Sequence, residues 1–431
     1  MSRPNWSLYA ATLLATTACG ASAGAPSHKN SGNSTGGTGG GIEQTSGGTA
    51  ATTGGSTSAG RSTVTGGTSA GGTTSEGGTR SDGGSGALSG SGGTDPEVPK
   101  NVLPCDSLTT VGEWEDITPP GVDFTQDFVI DPVNLGTVYV GGGQGFGIWK
   151  STDCGSQWTK VNTGEKGDEI DGGGHWTLAI DHVNPDVLYT ASGYGTNGVF
   201  KSTNGGVDWA QVLSPEAAAA LQFGGFVERI TLDPTNHEHI LVSPHFNCEN
   251  GHGHCLVEST DAGATWKILD NAPAVSEDSG QVMINGNLWF YANTWGDGLW
   301  RTANAGKSWD NVHGGDPTDS FYVADDGTFW TTSLTDGVLK STDQGVTWSV
   351  IPDSPHVRAL VGDGTTLFVS NRNEGPPYKP YLSALESDPT RWATLESPLL
   401  PRGGWVIHLD REHNVLYSST ESNGFWRVKT K

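Results

Sequence analysis

Ser151-Thr-Asp-Cys-Gly-Ser-Gln-Trp158 states a pattern, Ser-x-Asp-x-Gly-x-x-Trp, that the chain then repeats. The further copies are Ser202-Thr-Asn-Gly-Gly-Val-Asp-Trp209, Ser259-Thr-Asp-Ala-Gly-Ala-Thr-Trp266, Thr302-Ala-Asn-Ala-Gly-Lys-Ser-Trp309 and Ser341-Thr-Asp-Gln-Gly-Val-Thr-Trp348. Starts at 151, 202, 259, 302 and 341 give spacings of 51, 57, 43 and 39 residues, which mark a repeat protein rather than one globular core. The pattern has a mechanical meaning. Asp or Asn at the third position bonds nearby backbone and closes a tight turn, and Gly two residues later supplies the positive φ that such a turn needs. The Ser or Thr adds a second side-chain bond, and the Trp returns the chain to an apolar layer.

An apolar run precedes each copy, as in Gly147-Ile-Trp-Lys150 and Gly198-Val-Phe-Lys201, and another follows, as in Trp158-Thr-Lys-Val161. Each unit is therefore a hairpin with the motif at its tip. A further strand lies upstream of each motif (Thr137-Val-Tyr-Val140, Val187-Leu-Tyr-Thr190, His239-Ile-Leu-Val242), with Leu367-Phe-Val369 and Val415-Leu-Tyr417 as two more. Ahead of these stand innermost strands such as Phe128-Val-Ile-Asp131 and Ile407-His-Leu-Asp410. Four strands per unit at this period describe propeller blades. The expectation is an all-β, single seven-bladed β-propeller over residues 99–431, six and eight being the neighbouring counts. Its sixth blade has lost the motif but keeps the exit strand Trp392-Ala-Thr-Leu395. Glu113-Trp-Glu-Asp-Ile117 reads as the orphaned outer strand of the seventh blade, pairing with residues 424–428 to close the ring and hide an edge.

The five motifs resemble the Asp-box (BNR) family found in sialidases, sortilin-type receptors and endo-xyloglucanases. The resemblance runs over roughly residues 110–428 and implies that the box residues are structural rather than catalytic. The blade wording Ile130-Asp-Pro-Val-Asn134 and Ile180-Asp-His-Val-Asn-Pro185 looks most like the xyloglucanase group. That group implies a carboxylate pair in a cleft between two propellers, whereas this chain encodes one. The Arg-Ile-Pro motif resembling true sialidases is absent.

Residues 1–19 carry Arg3, an apolar stretch from Leu8 to Leu14, and Thr-Thr-Ala-Cys at 16–19, a secretory signal whose end resembles a bacterial lipobox with Cys19 as the lipidated residue. Thr16 departs from the usual Leu, and cleavage near Ala21-Ser-Ala23 is the alternative. Residues 20–98 are almost wholly Gly, Ser, Thr and Ala, a composition unable to bury a core and expected to form a disordered linker of about 50 Å root-mean-square span. The reading is an outer-membrane or cell-surface lipoprotein, alternatively a secreted protein, that touches the membrane only through Cys19. In an exported chain the other four cysteines suggest two disulfides, Cys248–Cys255 and, by elimination, Cys105–Cys154. A zinc site at Cys248, His252, His254 and Cys255 is the rival, disfavoured by crowded spacing. The formal net charge of −24 argues against nucleic acid, no cofactor or metal is expected, and a monomer is.

Propeller geometry places the motifs on one face and the second-to-third-strand and blade-to-blade connections on the other, where the less repetitive residues gather. There Trp176, Tyr194, His245, Trp295, Arg372 and Trp405 are candidate ligand-binding residues, because rings stack on pyranose faces while polar groups take hydroxyls. Asp127, Asp171, Glu228 and Asp297 are candidate carboxylates for glycoside hydrolysis, which needs an acid and a base or nucleophile across the scissile bond. His175 and Tyr322 are assigned to the same face. The leading function is a tethered propeller that binds a polysaccharide or a cell-surface protein. A glycoside hydrolase, xyloglucanase-like before sialidase-like, and a scaffold for assembling envelope proteins are the alternatives.

Overall fold

Seven four-stranded antiparallel sheets form the fold. The computed structural model describes residues 105, 108–245, 248, 255–273, 279–293, 297–371, 379–420 and 423–431. The expected signal with Cys19 and the linker lie outside the described residues, as do His252 and His254. Blade 1 runs from its inner strand Thr125–Ile130 through Val138–Gly142 and Ile148–Ser151 to Thr159–Lys160. The inner strands of blades 2 to 7 are Gly174–Ile180, Val227–Asp233, Ser279–Asn285, Pro317–Val323, Ala359–Gly362 and Val406–Asp410. In each sheet the strands are paired in sequence order, except that blade 7 takes its outermost strand from the N-terminal side. Inner strands of consecutive blades pack against one another, and the first packs on the seventh. The count of seven and the all-β class agree with the sequence. Two one-turn helices, Gly167–Asp171 and Pro215–Ala220, sit in the connections to blades 2 and 3.

The closing strand is Trp114–Asp116, with Trp114 opposite Val428, Glu115 opposite Arg427 and Asp116 opposite Trp426. Arg427 donates to Glu115 Oε2 at 2.6 Å and to the Cys154 carbonyl, and Lys429 Nζ donates to the Leu108 carbonyl at 2.7 Å. Beneath them Leu108, Ile117, Phe128, Val138, Tyr417 and Phe425 form one buried cluster that joins blade 7 to blade 1. Each fully buried aliphatic or aromatic side chain there contributes roughly 1.5–3 kcal/mol.

The repeated motif builds the same turn in each of its blades. Ser151 Oγ donates to Asp153 Oδ1 at 2.8 Å and accepts from the Gly155 amide, while Asp153 Oδ1 accepts from the Gln157 amide. Matching bonds recur from Ser202, Ser259, Thr302 and Ser341. The fifth-position glycine has positive φ as expected, and so does the fourth residue: Cys154 at 60°, Ala262 at 56°, Ala305 at 52° and Gln344 at 59°. From Trp209, Trp266, Trp309 and Trp348, Nε1 donates to the carbonyl of the motif glycine three residues back. Trp158 reaches instead to the Ile117 carbonyl at 2.7 Å, tying blade 1 to the closing strand. In blade 6 the motif is replaced by a short turn between Tyr381–Leu385 and Asp388–Thr394.

Both expected disulfides are present, Cys105–Cys154 and Cys248–Cys255, and they fit an oxidising compartment. No helix among the described residues is long and apolar enough to cross a membrane.

The two cross-links close loops of very different length, 49 and 7 residues apart in sequence. Loop-closure entropy then assigns about 4 kcal/mol to the first and about 2 kcal/mol to the second. Thermal melts of the paired serine variants are expected to show the larger fall in Tm for Cys105→Ser/Cys154→Ser. An equal or smaller fall would contradict the role of this bond in ring closure.

Candidate functional site

The inner strands surround a central channel of about 680 Å³, lined among others by Asp127, Arg229, Gln281, Ser320 and Trp405. Residues at this level also lock the ring. Asp127 Oδ2 accepts the Leu178 amide of blade 2 at 2.9 Å, Thr177 Oγ1 accepts the Ile230 amide of blade 3, and Ser320 Oγ accepts the Leu360 amide of blade 6. Asp127 is therefore a bridge between blades, only 9% exposed.

Beside the channel mouth, on the face opposite the motif turns, blades 2 and 3 assemble an aromatic platform. Tyr194 follows the second strand of blade 2, 60% exposed and in the left-handed region at φ 56°. Its ring meets Phe226 edge-on at 5.0 Å between centroids and lies 5.8 Å from Trp176. Trp176 in turn meets Phe226 at 5.6 Å, and His245 lies 4.5 Å from Phe226. Gln144, from blade 1, donates through Nε2 to the Tyr194 carbonyl at 2.8 Å and to the Gly172 carbonyl at 3.1 Å, which fixes the backbone that carries the exposed ring. His245 Nδ1 is 2.7 Å from Glu228 Oε2, and Arg229 donates to the Trp176 and Glu228 carbonyls. Across the mouth, the Arg358 guanidinium lies 4.5 Å over the Trp405 ring. The structure thus unites Trp176, Tyr194, His245 and Glu228, adds Phe226, and leaves Trp405 on the other side of the channel. Trp295 and Arg372 fall outside the described residues.

The remaining carboxylates do not converge with these. Asp171, at the end of the first short helix, takes Lys160 Nζ at 2.7 Å and Asn162 Nδ2 at 2.7 Å, a clamp across the blade 1–2 connection. Asp297 lies in the blade 4 loop, where its carbonyl accepts from Trp300 Nε1 and Asn311 Nδ2. Near it stands a pair absent from the sequence reading, Asp316 and Asp336 of the connection to blade 5 and its second loop. Burial, and then the charges of Asp336 and Asp297, raise the Asp316 carboxyl above the ordinary range. Burial works against ionisation of Asp336 as well, yet hydrogen bonds from His313 (3.1 Å) and Ser333 (3.2 Å) hold it low. Neighbouring carboxyls driven in opposite directions are how a site separates an acid from a base. Thr335-Asp336-Gly337 reads in sequence as ordinary turn chemistry, which is why it gave no signal.

Two assignments to this face are corrected. His175 is wholly buried, its Nε2 2.8 Å from the Ile170 carbonyl and its Nδ1 3.1 Å from Thr190 Oγ1, so it packs the connection beneath the platform. Tyr322 points to the motif side, where its hydroxyl bonds Glu386 and the Gly364 amide. Tyr322 lies at the far end of its inner strand, Pro317–Val323, which runs from this face to the motif side, and the sequence did not mark where that strand began.

No protein-family model matches the chain. It is 26% identical over 215 residues to xyloglucanase Xgh74A of Acetivibrio thermocellus, which covers 47% of this chain and 23% of that enzyme. It is 27% identical over 250 residues to a xyloglucanase of a Paenibacillus species, 54% of this chain and 22% of the enzyme. The chain thus spans less than a quarter of the curated relatives it matches. Among solved structures, the GH74 xyloglucanase from Xanthomonas campestris superposes with TM-score 0.58 at 18% identity, over 74% of this chain and 54% of that one. YCF48 bound to D1 peptide superposes with TM-score 0.54 at 12% identity, over 74% of this chain and 97% of that one. Both structural likenesses concern the fold.

Burial depresses His175 to a pKa of about 4, against about 6.5 in an unfolded chain. Because the unfolded state binds the proton first, stability present above about pH 6.5 is lost as pH falls toward 4, by about 3 kcal/mol at the limit. Thermal melts across this window are expected to fall more steeply for the native protein than for His175→Gln. Parallel slopes would contradict the assignment.

Proposed function

We propose that the face opposite the motif turns binds an extended, neutral polysaccharide, and that the Tyr194 platform is where the chain seats. The carrying observation is the exposed Tyr194 ring, held by Phe226 and Trp176 edges on a backbone braced from the neighbouring blade. A rigid ring presented to solvent gives a pyranose an apolar surface at little entropic cost. Glu228 and His245 beside it offer hydroxyl partners. In this proposal Trp405, and by sequence position Trp295 and Arg372, extend the surface along the same face. The similarity to proteins named xyloglucanases supports a β-glucan-type ligand, and residues 1–98 serve as export signal and tether, anchored at Cys19.

A second reading, glycoside hydrolysis, is favoured by the divergent Asp316 and Asp336 carboxyls. Asp316 is the group that keeps a proton to give to a leaving oxygen, and Asp336 the ionised partner. The sequence-derived candidates Asp127 and Asp171 act structurally in this scheme, and Asp297 supports Asp316 by raising its proton affinity.

The test is isothermal titration of the full chain with xyloglucan oligosaccharides, alongside an assay for reducing-sugar release. Binding is expected, and Tyr194→Ala is expected to weaken it about tenfold. Unchanged affinity in that variant would refute the platform. If sugar is released, Asp316→Asn abolishes release while binding persists, and undiminished turnover would remove Asp316 from the acid role. Silence of the native protein in both assays would leave a protein partner as the surviving class.

A further inference from the structure

At the join of the ring, Cys105 Sγ, a carboxylate oxygen of Asp410 and a ring nitrogen of His413 all lie within 4.8 Å of one another. The three residues are buried, at 2%, 4% and 7% exposure. His413 Nδ1 is 2.7 Å from Asp410 Oδ2, and Asp410 Oδ1 also accepts the His413 amide. The other ring nitrogen, Nε2, is buried with no hydrogen-bond partner among the described residues. A buried imidazole left half satisfied is costly in a purely packing role. The second sulfur, Cys154 Sγ, is one bond away. Cys154 is the fourth residue of the blade 1 motif, and the Ser151 and Asp153 bonds on either side of it fix its backbone. Asp410 and His413 begin the turn that follows the inner strand of blade 7.

We propose that the Cys105–Cys154 disulfide is one of two states of a clasp, and that the dithiol form takes a divalent cation of the zinc class between Cys105, Cys154 and the free Nε2 of His413, with Asp410 holding the imidazole through Nδ1. Two thiolates and an imidazole, with water in the fourth position, are a donor set for tetrahedral zinc. The conversion balances with an external reductant of the dithiol or phosphine class. It supplies two electrons and the S–S bond breaks, two protons complete the thiols, and the reductant leaves as its disulfide or, with oxygen from water, as the phosphine oxide. The cation then displaces both thiol protons to solvent. It takes the unpartnered His413 Nε2, and Asp410 keeps its hydrogen bond to Nδ1–H as the outer partner that fixes the tautomer. The clasp joins the N-terminal arm, blade 1 and blade 7 in either state, so the ring stays closed where thiols are reduced.

The test uses the full chain carrying Cys19→Ser, Cys248→Ser and Cys255→Ser, so that Cys105 and Cys154 are the remaining thiols. The protein is reduced with a phosphine under nitrogen and titrated with Co²⁺ as the spectroscopic substitute for zinc. One equivalent is expected to produce thiolate-to-cobalt charge-transfer absorption with the visible bands of a tetrahedral ion. Cys105→Ser and Cys154→Ser are each expected to lose about half of the charge-transfer intensity, one thiolate of two, and His413→Gln the tetrahedral visible bands, circular dichroism reporting whether each remains folded. Absence of the bands in the parent, or full intensity in Cys105→Ser or Cys154→Ser, would overturn the proposal.

Discussion

At three blade junctions a carbonyl turned outward by a left-handed residue receives a cation from the preceding blade, and these contacts tie the ring. The fourth residue of each motif adopts positive φ next to the glycine, and in blades 1, 3 and 5 its carbonyl meets a cation of the preceding blade. Lys201 of blade 2 donates to the Ala262 carbonyl of blade 3 at 3.2 Å, Arg301 of blade 4 to Gln344 of blade 5 at 2.8 Å, and Arg427 of blade 7 to Cys154 of blade 1. Hydrogen bonds to charged donors contribute roughly 1.5–3 kcal/mol each. The same stems cover aromatic rings of the second strands, with Lys150 over Tyr139, Lys201 over Tyr189 and Lys340 over Trp330. One device therefore closes the hairpin, orients the turn and docks the neighbour.

Much of this was legible in the sequence because the motif is local. Ser151, Asp153, Gly155 and Trp158 interact within eight residues, so their spacing carries the geometry. The closing strand was legible for the complementary reason, since a seventh blade lacking an outer strand leaves an edge that Trp114–Asp116 fills. Lys201 and Arg301 stand directly before a motif, and Arg427 holds the matching place in the last strand, so all three were readable as structural through one shared position. The left-handed fourth residue was not, because Cys, Gly, Ala and Gln share no side-chain feature, and the conformation is imposed by the bonds on either side.

The site was less legible. Four of the candidates, Trp176, Tyr194, Glu228 and His245, do come together, because loop position alone sorts residues between the faces. What loop position cannot supply is direction within a strand. His175 turns inward beneath the platform, and Tyr322 lies near the motif end of the strand Pro317–Val323. Nor does it supply charge environment. Asp127 and Asp171 are engaged as bridges, while Asp316 acquires its character from burial and from two acids distant in sequence. The regular face is thus given to holding the ring, and the irregular one is free to vary in chemistry. The aromatic platform lies there on blades 2 and 3 with Glu228 beside it, and the Asp316 and Asp336 pair lies on blade 5 near Asp297 of blade 4.

The account is tested most directly by amide hydrogen exchange of the full chain with and without saturating xyloglucan oligosaccharide. It predicts slowed exchange in the connections around Gly172–Trp176, Tyr194–Asn197 and Phe226–Glu228, with the motif turns unchanged. Protection confined to the motif turns, or spread evenly over both faces, would contradict it.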